Sequence, residues 1–129
     1  MFLLILASSN VSIPDENVPD SDQWMIVNTQ QVGYYRVNYD IDNWKLIVNQ
    51  LLTNHTKIHT INRAQIIDDS MDLAHAGLLD YHIGLDTTKY LINEKEFVPW
   101  EAATNAFNFL DNTLRRSESY GLWRVIIIT

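Results

Sequence analysis

The 129-residue sequence predicts a mostly α-helical chain with a short N-terminal β segment, in which the last strands of a β domain run into the start of an α-superhelical one. Three observations carry that expectation. Extended-looking runs occupy the first 39 residues, apolar residues recur at three- and four-residue spacing from Ile41 onward, and short polar links separate the helical stretches. Short links imply stacked antiparallel helix pairs, although no strict internal repeat is visible.

The elements follow in order. The apolar run from Phe2 to Ala7 is short and has no Lys or Arg before it, so it reads as a buried strand rather than the apolar part of a signal peptide. The polar stretch "SSNVSIPDENVPDSDQ", with Pro14 and Pro19, reads as a loop at a sheet edge. "WMIVN" (24–28) and "YYRVNY" (34–39) are two β-prone runs, and Gly33 between them can take the positive φ of a tight connection, so a hairpin is expected. Alternation then puts Tyr35, Val37 and Tyr39 on one face and Tyr34, Arg36 and Asn38 on the other.

Asp40 is a good N-cap for a first helix carrying Ile41, Trp44, Ile47, Val48 and Leu51. Thr60 or Asn62 can cap the second, whose stripe of Ile61, Ala64, Ile67, Met71 and Ala74 ends at Gly77, a natural residue just past a helix end. A third helix is expected over 81–96, weakened by Gly84 and Thr87. Pro99 suits the first turn of a fourth, with Trp100, Ala103, Ala106, Phe107 and Leu110 facing inward. The closing "LWRVIIIT" lacks a polar face from Val125 to Ile128 and departs from the amphipathic pattern before it.

Composition narrows function. With 47% hydrophobic and 11% aromatic residues the chain can build a core, and a net charge of -7 with pI near 4.8 argues against a nucleic-acid partner. The absence of cysteine removes disulfides, thiolate zinc sites and cysteine nucleophiles, without deciding the compartment. No stretch approaches the roughly 20 apolar residues of a spanning helix, so no direct membrane insertion is expected.

The candidate chemistry is sparse. His55 and His59 in "HTKIH" have the i, i+4 spacing of zinc-dependent peptidases, but Thr56 stands where the general-base glutamate belongs and no third ligand is evident, so a polar loop is the better reading. His75 and His82 read as a helix end and a loop. Asp68, Asp69 and Asp72 resemble a carboxylate site, yet one helix face does not drive paired pKa values apart; a solvated face, with Arg63 near an aspartate, is expected instead. Trp44, Trp100, Phe107 and Phe109 read as core rather than as a ligand box. Two sequons, at Asn10 and Asn54, fall in expected loops and would accept N-glycans in a secretory compartment.

One ordered series goes further. "WMIVNTQQVGYYRVNYD" (24–40), "NW" (43–44), "NRAQIIDD" (62–69), "LAHAG" (73–77) and "PWEAA" (99–103) resemble the aminopeptidase N family, zinc metallopeptidases with a gluzincin catalytic domain, over roughly residues 24 to 121. The resemblance implies a partial β-sandwich domain over 1–39. Over 40–129 it implies a partial C-terminal aminopeptidase domain, the first antiparallel helix pairs of an α-superhelical (HEAT-like) array. "GYYRVNYD" would then be the domain junction, with Tyr34, Tyr35, Arg36 and Tyr39 packed at the seam.

Members of that family remove N-terminal residues from peptides. They use an H-E-x-x-H helix with a downstream glutamate for zinc and a G-x-M-E-N-type segment for the free amine, and neither occurs here. No catalytic, cofactor-binding or metal-binding residue is therefore carried over. Zinc and peptide substrates belong to a parent enzyme, of which this chain, inactive alone, would supply a hinge and a lid over the active-site chamber, contacting the remainder of the enzyme. The expected location is the cell surface or extracellular space, anchored through segments outside this chain, with a cytosolic location as the alternative. The competing function is a stand-alone, catalytically dead helical interaction module. A β-sandwich without its early strands and a superhelix without its later helices favour a fragment.

Overall fold

The computed structural model describes residues 2–5, 9–12 and 19–128. In chain order these form β1 (Phe2–Ile5), β2 (Ser9–Ser12), β3 (Val37–Asn38), α1 (Ile41–Asn54), α2 (Thr60–His75), α3 (Tyr81–Asp86), α4 (Phe97–Leu114) and α5 (Tyr120–Ile128). The chain is mostly helical, as expected.

The strands form one antiparallel sheet in the order β2-β1-β3, with Leu4 opposite Asn38 and Ile5 opposite Val37. A strand thus stands in the Phe2–Ala7 run, and Ala7 itself lies outside the described residues. Part of the stretch expected to be a loop is strand β2, paired along the whole of β1, because main-chain bonding does not require apolar side chains. Pro14 lies outside the described residues.

The expected hairpin does not form. The main chain at Met25 is satisfied by a side chain instead of a strand: Met25 N donates to Asn43 Oδ1 and Asn43 Nδ2 donates to Met25 O, each at 2.8 Å. Trp24 Nε1 reaches Gln50 Oε1 at 3.0 Å, so this run lies along α1. The chain then reverses through a 3₁₀ turn at Thr29–Gln31 in which Asn28, Gln30 and Gln31 take φ of 57, 56 and 55°. Gly33 is not where the positive φ falls. What it supplies is space, since a Cβ there would lie 2.2 Å from Tyr35 Cε1.

Helix α1 begins as predicted, with Asp40 Oδ1 accepting from Asn43 N at 2.8 Å, and buries Trp44, Ile47 and Leu51 while Ile41 stays half exposed. Helix α2 is capped by His59, whose Nδ1 accepts from Ile61 N at 3.2 Å, and not by Thr60 or Asn62. Its end is a Schellman motif: Leu78 N donates to Leu73 O at 2.9 Å and Gly77 N to Ala74 O at 3.0 Å, with Gly77 at φ 74°. This helix is central, packed by α4, α3, β3 and the Thr29–Gln31 turn.

The third helix is shorter than expected. The Thr87 and Thr88 hydroxyls donate back to Gly84 O and Leu85 O, each at 2.7 Å, and the chain continues as a 3₁₀ segment over Lys89–Asn93. Helix α4 opens with Pro99 in its first turn and buries Ala103 and Leu110, but Trp100 is turned partly outward and donates from Nε1 to Glu94 O at 3.2 Å. Phe109, also expected in the core, is exposed on one side. The closing apolar segment is helical: in α5, Trp123 is buried, edge-on to Phe107 with ring centroids 6.0 Å apart. Among the described residues no helix is long and apolar enough to cross a membrane.

Candidate functional site

The motif residues converge on a polar seam between the 24–39 segment and α2. Asn62, Gln65, Asp69 and Asp72 recur at i, i+3, i+7 and i+10, which sets them along one face of α2, and Asn62, Gln65 and Asp69 are buried. That face meets main chain as well as side chains. Asn62 Oδ1 accepts from Gln30 N at 3.0 Å, Asn62 Nδ2 donates to Gln65 Oε1 at 2.7 Å, and Asp69 Oδ2 accepts from Val37 N at 3.1 Å. The 28–37 segment is thus held by α2 side chains, as a neighbouring strand would hold it.

Arg36 closes the seam. Its Nη1 lies 2.7 Å from Asp68 Oδ2 and 3.1 Å from Asp69 Oδ1, and its Nη2 lies 2.5 Å from Asp72 Oδ2. The acidic face expected to be solvated is so only in part: Asp68 and Asp72 stay half in water while clamping one guanidinium, and Asp69 is buried. Burial pushes the Asp69 carboxyl up to about 6, against the Val37 N–H and the Arg36 charge. For Arg36 burial works the other way, but the three aspartates hold its pKa above the ordinary value.

The loop tip is shaped by Asn28, whose Oδ1 accepts from Gly33 N at 2.8 Å while Nδ2 donates to Gly33 O at 3.0 Å. Tyr39 is buried, its hydroxyl accepting from Val27 N at 3.1 Å and its ring edge-on to Trp44 with centroids 5.1 Å apart. Trp44 Nε1 donates to Asn38 Oδ1 at 2.9 Å. Tyr35 is partly buried against the core, whereas Tyr34 is fully exposed. Of the four junction residues singled out in the sequence, Arg36 enters the seam, Tyr39 is buried against Val27 and Trp44, and Tyr34 and Tyr35 line the cavity beside Arg36, Tyr34 fully exposed.

Arg63 does not contact an aspartate. It forms a buried two-pronged pair with Glu94, Nε to Oε2 at 2.7 Å and Nη2 to Oε1 at 3.0 Å, and Nη1 donates to Ile58 O at 2.6 Å. Burial raises the Glu94 pKa, but Arg63 and the Glu96 N–H outweigh it and leave the net value lowered. The pair joins the start of α2 to the end of the 3₁₀ segment that precedes α4.

The histidines are dispersed. His55 opens the 3₁₀ turn His55–Lys57 and lies 5.4 Å from the Tyr90 ring, while His59 caps α2, so a bend separates them and they share no helix face. His75 ends α2 against Phe109, and His82 stands in the first turn of α3, not in a loop, with its N–H on Asp80 Oδ1 at 3.1 Å. Asn10 lies in β2 and Asn54 at the exposed end of α1. Among the described residues no group of three or more His, Cys, Asp or Glu is arranged to hold a metal, and the Asp68–Asp69–Asp72 cluster already surrounds a cation. The described residues do not fit a catalytic zinc ion.

Residues 24–128 match the family model described as "ERAP1-like C-terminal domain". The chain belongs to the aminopeptidase N family. Among its relatives, Aminopeptidase N of Plutella xylostella is 43% identical over 123 residues, 95% of this chain and 13% of that protein. The Thyrotropin-releasing hormone-degrading ectoenzyme of Homo sapiens is 44% identical over 109 residues, 84% of this chain and 10% of its own length. Aminopeptidase N of Rattus norvegicus is 48% identical over 101 residues, 78% of this chain and 10% of that protein. The chain thus spans 10–13% of the length of these family members.

Asn28, Asn43, Asn62 and Gln65 stand in the ordered motifs, Asn62 also as an expected cap, but neither they nor Glu94 are assigned from the sequence to a seam or a tie. For the two α2 positions a signal was present, as the 62, 65, 69 spacing that sets Asn62 and Gln65 on the same helix face as Asp69. Asn43 and Glu94 left no such periodic trace.

Proposed function

We propose that this chain is part of a zinc aminopeptidase that removes N-terminal residues from peptides, and that it joins the end of a β-sandwich domain (1–39) to the first helices of a superhelical C-terminal domain (40–129). In this reading it is the hinge and part of the lid over the active-site chamber. It supplies no catalytic group; zinc, the general base and the amine-recognition site belong to the rest of the enzyme. The observation that carries the reading is the seam itself, where one guanidinium, three carboxylates and buried amides join the pre-helical segment to α2. Such a joint transmits the orientation of one body to the next. The ectoenzyme name of the Homo sapiens relative supports a cell-surface location.

The test uses the protein encoded by the complete reading frame around this sequence. Arg36→Met is expected to lower kcat/KM for peptides by roughly tenfold, changing kcat and KM together as lid and hinge variants do, with bound zinc unchanged. Unaltered kinetics sink the hinge role. N-terminal residue release by the 129-residue chain alone contradicts the statement that it supplies no catalytic group, whereas a frame without H-E-x-x-H overturns the enzyme-part reading and leaves an interaction module.

A further inference from the structure

We propose that Asn54 carries an N-linked glycan, attached where α1 hands over to the turn before α2. This rests on the cell-surface reading above, because the attaching machinery works in the secretory lumen. The triplet Asn54-His55-Thr56 has no proline at its centre, and both Asn54 and Thr56 are exposed.

The geometry distinguishes this acceptor from a bare sequence match. Asn54 Oδ1 accepts from Thr56 Oγ1 at 2.6 Å and from Thr56 N at 3.2 Å, so the side chain is locked by its oxygen. The Asn54 carbonyl is occupied by Gln50 Nε2 at 2.7 Å. Among the described residues Nδ2 has no hydrogen bond, so the reacting atom is the one the fold leaves to solvent. Neither the Arg36 clamp nor the Arg63–Glu94 pair uses an atom of Asn54. A saccharide there can project into water without displacing a structural contact.

The donor is a lipid-pyrophosphate-linked oligosaccharide. Asn54 Nδ2 forms a bond to sugar C1 as the C1–O bond breaks, its electron pair leaving on the lipid pyrophosphate, and one amide proton is lost to a base of the transferase. The Thr56 hydroxyl on Oδ1 draws density toward the carbonyl and eases that proton loss. Asn10, by contrast, lies within β2 opposite Leu4.

The chain is directed into the secretory lumen behind a cleavable signal, and glycopeptides are mapped by mass spectrometry for wild type, Asn54→Asp, Thr56→Ala and Thr56→Ser. Asn54→Asp keeps the oxygen that caps the turn and removes the acceptor nitrogen. Expected are occupancy at Asn54 in wild type and Thr56→Ser, and its complete loss in the other two, with Asn54→Asp melting like enzymatically deglycosylated wild type. A secreted wild-type chain bare at Asn54, whether or not Asn10 is occupied, overturns the proposal. Protease treatment of intact cells making the natural protein tests location separately. A protected protein overturns the location reading and the glycan with it, whereas a cleaved but unglycosylated protein overturns the glycan alone.

Discussion

Asp69 shows how much of the seam turns on one side chain. Its neighbours Asp68 and Asp72 keep half their surface in water, but Asp69 is 4% exposed, so its charge relies on Val37 N and Arg36. Its pKa of about 6 lies above the value of about 4 for a free aspartate, so the fold binds a proton that the unfolded chain does not hold between those limits. The resulting stabilisation is full below about pH 4 and is lost as pH rises through about 6. Asp69→Asn mimics the protonated form and removes that dependence. Urea unfolding at pH 4.5 and 7.5 is expected to show the variant gaining on wild type by about 1–3 kcal/mol at the higher pH. A difference that does not change with pH contradicts this.

At the scale of elements, helix ends were legible because they are local. Asp40 caps α1 through a bond three residues along the chain, and Gly77 ends α2 with a conformation that L side chains resist. A Cβ at Gly77 would meet nothing within 4 Å, so the cost of Gly77→Ala is purely conformational and is expected to be about 1 kcal/mol of unfolding free energy. Gly77→Asn should cost less, since Asn tolerates the left-handed region. Equal stability of all three in chemical denaturation would mean that the end of α2 is free to rearrange. The third helix was over-extended because the threonine back-bonds that stop it at Thr87 and Thr88 compete with helical bonding by geometry, not by residue type alone.

At the scale of the whole molecule, several large apolar side chains of the later elements stand exposed among the described residues. Phe97 and Leu122 are 73% and 72% exposed, and Ile92 and Ile126 are 87% and 60% exposed, on α4, α5 and the 3₁₀ segment between α3 and α4. Large exposed apolar side chains in this number favour association. Sedimentation velocity at tens of micromolar is expected to show the isolated chain self-associating, and Phe97→Glu with Leu122→Glu to shift it toward monomer. A wild-type chain that stays monomeric would show that these side chains do not form a continuous patch.

By itself the sequence determined the helical class, three of the helix ends or starts, the largely apolar face of α1 and, through its ordered motifs, the family. Those signals are short-range: capping, periodicity and turn chemistry act within a few residues. Only the tertiary structure decided what the polar motif residues do. Asn43 replaces the strand that Met25 was expected to find, Arg36 gathers three aspartates from a helix more than thirty residues away, and Arg63 selects Glu94 over any aspartate. The buried partners, Asn43, Asp69, Arg63 and Glu94, are chosen by which donor or acceptor would otherwise stand unpaired, and that demand exists only once the segments are packed together.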